Sequence, residues 1–177
     1  DKVGVIMARD LVKLYPGATF VADVKSTGLF ASDPDLIAAG AKADYWKTGH
    51  SYMKRRVKEL GALAGFEKSG HYFLAEPIGR GYDDGMRVAV EICKLMDRNP
   101  GAKFSDLKKA LPKTFSSPTM SPACPDTEKY QVLGRIVEKL VKRGEEGGSL
   151  GGVKIKEVVT VNGARVILEN GGWGLVG

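Results

Sequence analysis

The chain has 177 residues, of which 43% are hydrophobic and 27% are charged, and it carries a formal net charge of +6. This length and composition predict one full globular domain and a smaller second one, and no apolar run approaches the ~20 residues needed to cross a bilayer. Because the first residues lack the basic-then-apolar plan of a signal peptide and the two cysteines are isolated, we expect a cytoplasmic protein without a membrane partner.

The first half of the sequence predicts alternating helices and strands. Apolar residues at helical spacing predict a helix from Lys2 to Leu14, which Pro16-Gly17 end. The elements predicted after it are a strand from Thr19 to Val24, a helix from Pro34 to Ala39, a strand at Asp44-Tyr45-Trp46, a helix from Ser51 to Leu60, and strands from Leu63 to Phe66 and from Tyr72 to Leu74. Residues 1–101 are therefore expected to form an α/β layered domain with a mixed sheet.

One more helix closes this predicted domain. Asp83 or Asp84 is expected to cap it, and Asn99-Pro100-Gly101 to end it. Its predicted core face consists of Met86, Val90 and Cys93, followed by Leu95 or Met96.

The second half predicts a linker followed by a smaller domain. Four prolines indicate extended backbone over residues 102–125: Pro112, Pro118, Pro122 and Pro125. A helix capped by Asp126 is then expected to run through Lys142, with a core face of Tyr130, Leu133, Ile136 or Val137, and Leu140.

The end of the chain predicts a small antiparallel sheet. Gly144 to Gly152 is expected to be a flexible turn region, and strands from Ile155 to Val161 and from Ala164 to Leu168 flank Asn162-Gly163, a dipeptide typical of two-residue hairpins. Trp173 to Gly177 is expected to form a last strand. Residues 126–177 thus predict an incomplete α+β domain.

The positive charge is mixed with negative charge along almost the whole sequence. Few aromatic residues lie among the basic ones, so no nucleic-acid partner is expected and an anionic small molecule fits the charge as well. The sharpest basic run, Lys54-Arg55-Arg56, is interpreted as a solvated helix face.

The two histidines of the chain both follow a glycine in a polar cluster. We name these clusters the first histidine loop, Lys47 to Ser51, and the second histidine loop, Glu67 to His71. Histidine exchanges protons near neutral pH, and a preceding glycine lets the backbone approach a ligand closely. Both loops follow predicted strands, where ligand sites of α/β domains usually lie.

A third polar segment, Asp23 to Gly28, also follows a predicted strand, and we name it the lysine loop. Its Lys25 and its hydroxyl groups suit a phosphate, whereas Glu67 and Ser69 of the second histidine loop suit sugar hydroxyls. A sugar phosphate would use both kinds of loop. The alternative for each charged residue is an ordinary surface position, and for each histidine a structural role.

A metal site is the competing interpretation, since two histidines and a carboxylate are common ligands. The spacing argues against it, because no HExxH motif is present and lysines flank both histidines. We therefore expect no metal site in this chain. Asp83-Asp84-Gly85 is explained more simply by helix capping than by a metal loop.

The chain resembles the α-D-phosphohexomutase superfamily, most closely its bacterial phosphomannomutase/phosphoglucomutase branch. The motifs that carry the resemblance are DVKSTG at 23–28, YWKTGHS at 45–51, EKSGH at 67–71, GYDDG at 81–85, and VNGARV and GWGLV near the end, in the family's order. The family has four domains around a cleft, and this chain resembles the third domain and an incomplete fourth.

The resemblance implies a reversible transfer of phosphate between the 1- and 6-positions of a hexose, through a bisphosphorylated sugar. It implies a donor phosphoserine on the first domain and Mg²⁺ held by an acidic loop on the second, and this chain has neither feature. The sequence departs from the family pattern at Phe66 and Lys68, and Gly177 stands where the family has an arginine.

The resemblance also implies roles for single residues. Glu67 and Ser69 are expected to hold sugar hydroxyls. The expected catalytic residues are His71, as general acid/base, Lys25 and His50, and the remaining substrate-binding residues are Lys47, Thr48 and Gly49.

Two functions follow as hypotheses. In the first, the chain supplies sugar recognition to a phosphohexomutase together with missing domains of the same polypeptide, its partner is a hexose phosphate, and it is inactive alone. In the second, it is a stand-alone binder of phosphosugars or nucleic acid without catalysis.

Overall fold

The computed structural model describes all 177 residues and divides into two compact units, Asp1–Pro112 and Lys113–Gly177. The helices of the first unit are α1 (Lys2–Leu14), α2 (Leu29–Ser32), α3 (Pro34–Ala38), α4 (His50–Glu59), α5 (Gly85–Asp97) and α6 (Phe104–Lys109). Its strands are β1 (Thr19–Asp23), β2 (Lys42–Trp46), β3 (Ala64–Phe66) and β4 (Tyr72–Leu74). No helix of the chain combines the length and apolar character that a membrane span requires.

The four strands of the first unit form one mixed sheet in the order β2-β1-β3-β4. β1 runs parallel to β2 and to β3, whereas β4 returns antiparallel to β3. The predicted α/β fold with a mixed sheet is confirmed. Since β1, β2 and β3 point the same way, their carboxyl ends, and the loops that follow them, lie at one edge of the sheet.

The sheet has a hydrophobic cluster on each face because neighbouring strand residues point to opposite sides. Phe20 and Phe66 lie in the larger cluster with the buried face of α1. Val21 and Phe73 lie in the smaller cluster, where Met53 of α4 packs against them. The first unit is therefore a three-layer α/β/α structure, and α4 is the layer that begins at the first histidine loop.

The predicted core face of α5 is wrong over most of its length and right at its end, where Leu95, one of the two alternatives, is buried. Met86 is 80% exposed and Val90 47% exposed, whereas the buried residues are Glu91 and Leu95. At 100° per residue, Glu91 and Leu95 lie roughly 150° around the helix from the direction of Met86, Val90 and Cys93. Glu91 belongs to the buried face, where its carboxylate accepts a hydrogen bond from Arg98 at 3.2 Å.

The stretch predicted as an extended linker is partly helical. α6 occupies residues 104–109, and Leu111 after it is buried in the larger cluster of the first unit. α2, which follows the lysine loop, was also not predicted. Both are helices of six residues or fewer, too short to show a clear apolar period.

The second unit consists of α7 (Lys129–Glu145) and an antiparallel sheet. The strands, in the order β5-β6-β7-β8, are β5 (Ser149–Leu150), β6 (Val153–Val159), β7 (Ala164–Leu168) and β8 (Trp173–Val176). The predicted antiparallel sheet is confirmed, and the short β5 lies inside the segment expected to be a flexible turn.

Two details of this unit correct the prediction. α7 begins at Lys129 rather than after Asp126, and the exposed Asp126 carboxylate pairs with the Lys129 ammonium at 3.2 Å instead of capping the helix. Tyr130, assigned to the core face, is 77% exposed.

The hairpin between β6 and β7 does not use a two-residue turn. Val159 pairs with Arg165, so the connection is centred on Asn162 and β6 ends earlier than predicted. β7 lies between β6 and β8, and its Ala164 and Val166 are buried. We infer that this burial, rather than the Asn162-Gly163 dipeptide, sets the register between β6 and β7.

Candidate functional site

The three polar loops lie together at the carboxyl edge of the first unit's sheet. β1 ends at Asp23, β2 ends at Trp46 and β3 ends at Phe66. The lysine loop and the two histidine loops begin at these three strand ends, as the sequence predicted.

The Asp23 carboxylate joins all three loops. It is 1% exposed and accepts hydrogen bonds from the Ser26 hydroxyl at 2.5 Å, the Thr48 hydroxyl at 3.0 Å and the Lys68 amide at 3.2 Å. These donors belong to the lysine loop, the first histidine loop and the second histidine loop in turn. A buried carboxylate needs such donors to offset its lost hydration, so the loops and the acid hold each other in place.

Glu67 forms a second link between the histidine loops. Its Oε1 accepts from the Gly49 amide at 2.6 Å, and its Oε2 accepts from the Ser69 hydroxyl at 3.4 Å. Gly49 has a φ of 123°, which an L side chain rarely adopts, so glycine is required for this amide to face Glu67. Glu67 is 2% exposed, and the 3.4 Å bond to Ser69 is long enough to be exchanged for another donor.

The two histidines lie side by side with a shared acid. Their ring centroids are 4.5 Å apart in an edge-to-face arrangement. His71 Nδ1 lies 2.7 Å from Asp83 Oδ2, and His50 Nε2 lies 3.5 Å from the same oxygen. Both imidazole side chains are nearly half exposed, so a ligand can reach them.

The contact with Asp83 fixes which nitrogen of His71 carries a proton. An ionised carboxylate can only accept, so Nδ1 must be the donor, and in the neutral ring Nε2 then holds a free electron pair. Asp83 itself is positioned by a backbone bridge to Phe73, two residues beyond His71. The arrangement has the form of a base oriented by an acid.

The remaining predicted site residues occupy the same edge with more freedom. Lys25 and Ser69 are exposed. The Lys47 ammonium lies 5.6 Å from the centroid of the Tyr52 ring, at a distance typical of a cation–π contact. These side chains are free to turn toward a ligand.

The basic run after the first histidine loop is only partly a solvated face. Lys54 and Arg55 are exposed, but Arg56 donates two hydrogen bonds to the Asp44 carboxylate, at 2.8 and 2.9 Å. Its guanidinium also lies 4.1 Å from the centroid of the Trp46 ring. The hydrogen bonds from Arg56 to Asp44 raise the pKa of the guanidinium, and the pair fastens α4 to β2.

Sequence reasoning missed two functional candidates, Asp23 and Asp83. Asp83 was assigned to helix capping, whereas Asp84 alone caps α5 by accepting from the Arg87 amide at 3.0 Å. Two adjacent acids where one cap is needed could have indicated a second role. Asp23 could have been found as an acid that ends an apolar strand directly before a polar loop.

Comparison with known proteins identifies the family. Residues 1–115 match the family model described as phosphoglucomutase/phosphomannomutase, alpha/beta/alpha domain III. The chain belongs to the phosphoglucomutase/phosphomannomutase family.

Relatives and a solved structure agree with this membership. A phosphomannomutase/phosphoglucomutase of Pseudomonas syringae is 33% identical over 176 residues, which are 99% of this chain and 34% of that protein. A phosphoglucomutase of Neisseria meningitidis is 30% identical over 97% of this chain and 34% of its own length. A crystal structure of a phosphoglucomutase/phosphomannomutase family protein from Burkholderia thailandensis is 30% identical with a TM-score of 0.65, and covers 90% of this chain and 30% of that one.

The chain thus spans about a third of the length of the relatives that it matches. The candidate site lies in the first unit of this third. It holds two imidazoles and several carboxylates in hydrogen bonds, but it has no cluster of free oxygen ligands of the kind that Mg²⁺ requires. The residues present therefore do not fit a magnesium site.

Proposed function

We propose that this chain is the sugar-recognition part of a hexose-phosphate mutase, which interconverts the 1-phosphate and 6-phosphate of glucose or mannose. The observation that best supports this is the joining of three polar loops by Asp23 and Glu67. It brings hydroxyl-binding groups, cations and two imidazoles to one edge of the sheet, which is what a sugar phosphate needs.

His71 is proposed as the general acid/base. Its Nε2 takes the proton from the sugar hydroxyl that attacks phosphorus, and in the reverse direction the imidazolium returns a proton to the leaving oxygen. Asp83 acts as a positioning residue, because its contact with Nδ1 sets the tautomer and stabilises the imidazolium. His50, whose ring is in contact with His71, is proposed to line the same side of the reacting group.

Glu67 and Ser69 are proposed to bind two neighbouring sugar hydroxyls. Glu67 Oε2 would exchange its long bond to Ser69 for a sugar hydroxyl, and the freed Ser69 hydroxyl would donate to the next oxygen. Oε1 stays bonded to the Gly49 amide, so the carboxylate keeps its orientation during binding. Lys25 and Lys47 are proposed to pair with phosphate oxygens, and Thr48 and Gly49 to shape the loop.

The phosphoryl donor and the magnesium ligands are proposed to lie in other parts of a longer polypeptide. This chain corresponds to about a third of the length of its relatives. The chain by itself is proposed to bind the sugar phosphate without turnover. The exposed free thiols of Cys93 and Cys124 support the proposal of a reducing, cytoplasmic setting.

The test uses the longer protein that contains this chain, assayed for conversion of glucose 1-phosphate and mannose 1-phosphate to the 6-phosphates. His71→Gln is expected to lower kcat by about 10²–10⁴-fold. Glu67→Gln is expected to raise KM, whereas Glu76→Gln, the same change at an exposed acid, should leave both constants unchanged.

Asp83 is tested against its neighbour. Asp83→Asn is expected to lower kcat at least tenfold and to shift the limb of the pH profile that reports the histidine, while Asp84→Asn should do neither. A protein without mutase activity, or a His71→Gln variant within twofold of the parent, contradicts the proposal.

A further inference from the structure

The cluster of His50, His71 and Asp83 has a donor set suited to a transition metal. One ligand atom from each residue lies within 4.8 Å of the other two. We propose that these three side chains form a Zn²⁺-binding site. Two imidazole nitrogens and one carboxylate oxygen are donors that zinc accepts, with a water molecule in the fourth position, whereas Mg²⁺ prefers oxygen ligands alone.

Two of the three distances between ligand atoms are close to what a tetrahedral ion needs, and the third is at most 4.8 Å. Zinc bonds of ~2.0–2.1 Å in a tetrahedral site put neighbouring ligand atoms roughly 3.3 Å apart. The distances to Asp83 Oδ2 are 2.7 Å from His71 Nδ1 and 3.5 Å from His50 Nε2. Binding requires the other tautomer of His71, in which Nδ1 has given up its proton and Nε2 carries one, so the neutral ring coordinates the metal through Nδ1. The metal then lies between groups that are already neighbours.

The three residues come from elements that hold them in register. His50 begins α4, His71 directly precedes β4, and Asp83 is fixed to Phe73 of β4 by the backbone bridge. None of them depends on a distant flexible segment. Side-chain exposures of 45%, 46% and 26% leave room for a solvent-borne ion and its water.

In the sequence, lysines near both histidines argued against a metal, but the structure shows where one of these ammonium groups lies. The Lys47 ammonium lies over the Tyr52 ring. The carboxylate of Asp83 contacts both imidazoles and supplies the negative charge that a dication needs. The arrangement is therefore more favourable to a cation than the sequence indicated.

The experiment titrates the 177-residue chain with ZnCl₂ by isothermal calorimetry, in a Cys93→Ser/Cys124→Ser background so that the exposed thiols do not bind the metal. We expect one Zn²⁺ per chain, and no binding of MgCl₂ under the same conditions. His50→Ala, His71→Ala and Asp83→Asn should each weaken zinc binding at least tenfold.

Asp84→Asn is the matched control, because it removes the same charge from the next residue and should retain the affinity. Circular dichroism of each variant confirms that it is folded. The proposal is overturned if the background chain shows no saturable one-site binding, or if Asp84→Asn weakens it as much as Asp83→Asn. The readout involves no turnover, so its result is independent of the proposed mutase activity.

Discussion

Removing the Asp23 carboxylate should destabilise the first unit more than any other single change at the site. Asp23→Ala deletes three hydrogen bonds to a charged acceptor that is 1% exposed. Each such bond contributes about 1.5–3 kcal/mol, but hydroxyl rotation and water entry recover part of the sum. We expect a loss of about 3–5 kcal/mol in the free energy of unfolding, which is typical of a disrupted buried charge network.

For a unit of this size, that loss corresponds to a fall in Tm of about 12–20 °C, at about 4 °C per kcal/mol. Asp23→Asn keeps one acceptor oxygen and should cost about half as much. Asp97→Ala, which removes an exposed acid at the end of α5, is the charge control and should stay within about 0.5 kcal/mol of the parent.

The assay follows urea and thermal unfolding by tryptophan fluorescence. The chain has two tryptophans, one in each unit, so a Trp173→Phe background leaves Trp46 as the reporter of the first unit. If Asp23→Ala unfolds within 0.5 kcal/mol of the background protein, the three bonds do not hold the loops and the reasoning is wrong.

Two further predictions concern the core around the site. Gly65→Ala would place a Cβ 2.8 Å from Val57 Cγ2 in the smaller cluster. It should therefore lower the free energy of unfolding by about 1–3 kcal/mol, as measured by urea unfolding. Gly85→Ala is the control, because Gly85 has open space around it and the change should be nearly neutral. Burial raises the pKa of the Tyr72 hydroxyl above its ordinary value of 10.0, with a smaller opposing effect from a hydrogen bond to the Gly4 backbone. The folded state therefore keeps this proton longer than the unfolded state, so the associated stability is present below about pH 10 and is lost as the pH rises through the folded pKa. Between about pH 9 and pH 11 the parent should lose more unfolding free energy than Tyr72→Phe, and equal losses would contradict this.

Much of the first unit could be predicted from local pattern. α1 has the predicted bounds, Lys2–Leu14, because its apolar period is strong and Pro16-Gly17 end it. The strand ends were also predictable, since β1 and β3 are short apolar runs followed by polar loops. Parallel strands align such ends, so the meeting of the three loops followed from the sequence.

The face of α5 could not be predicted, because it depends on a contact distant in sequence. Arg98 donates to the Asp10 carboxylate of α1, 88 residues away, and the same guanidinium pairs with Glu91. A pattern of apolar residues cannot show that an acid is buried by such a partner. Which face of α5 is buried therefore depends on its packing against α1.

The sequence by itself determined which chemical groups follow each strand: a lysine with hydroxyls, and two histidines with a glutamate and a serine. Their type and order are local properties of the chain, and they carry the family membership. Only the tertiary structure decided which of these groups touch. Asp23 reaches Lys68 across 45 residues, and Asp83 reaches both imidazoles, because strand pairing and a backbone bridge bring those positions together. Contacts between distant residues depend on register and rotamer in the folded protein, and no local pattern encodes them.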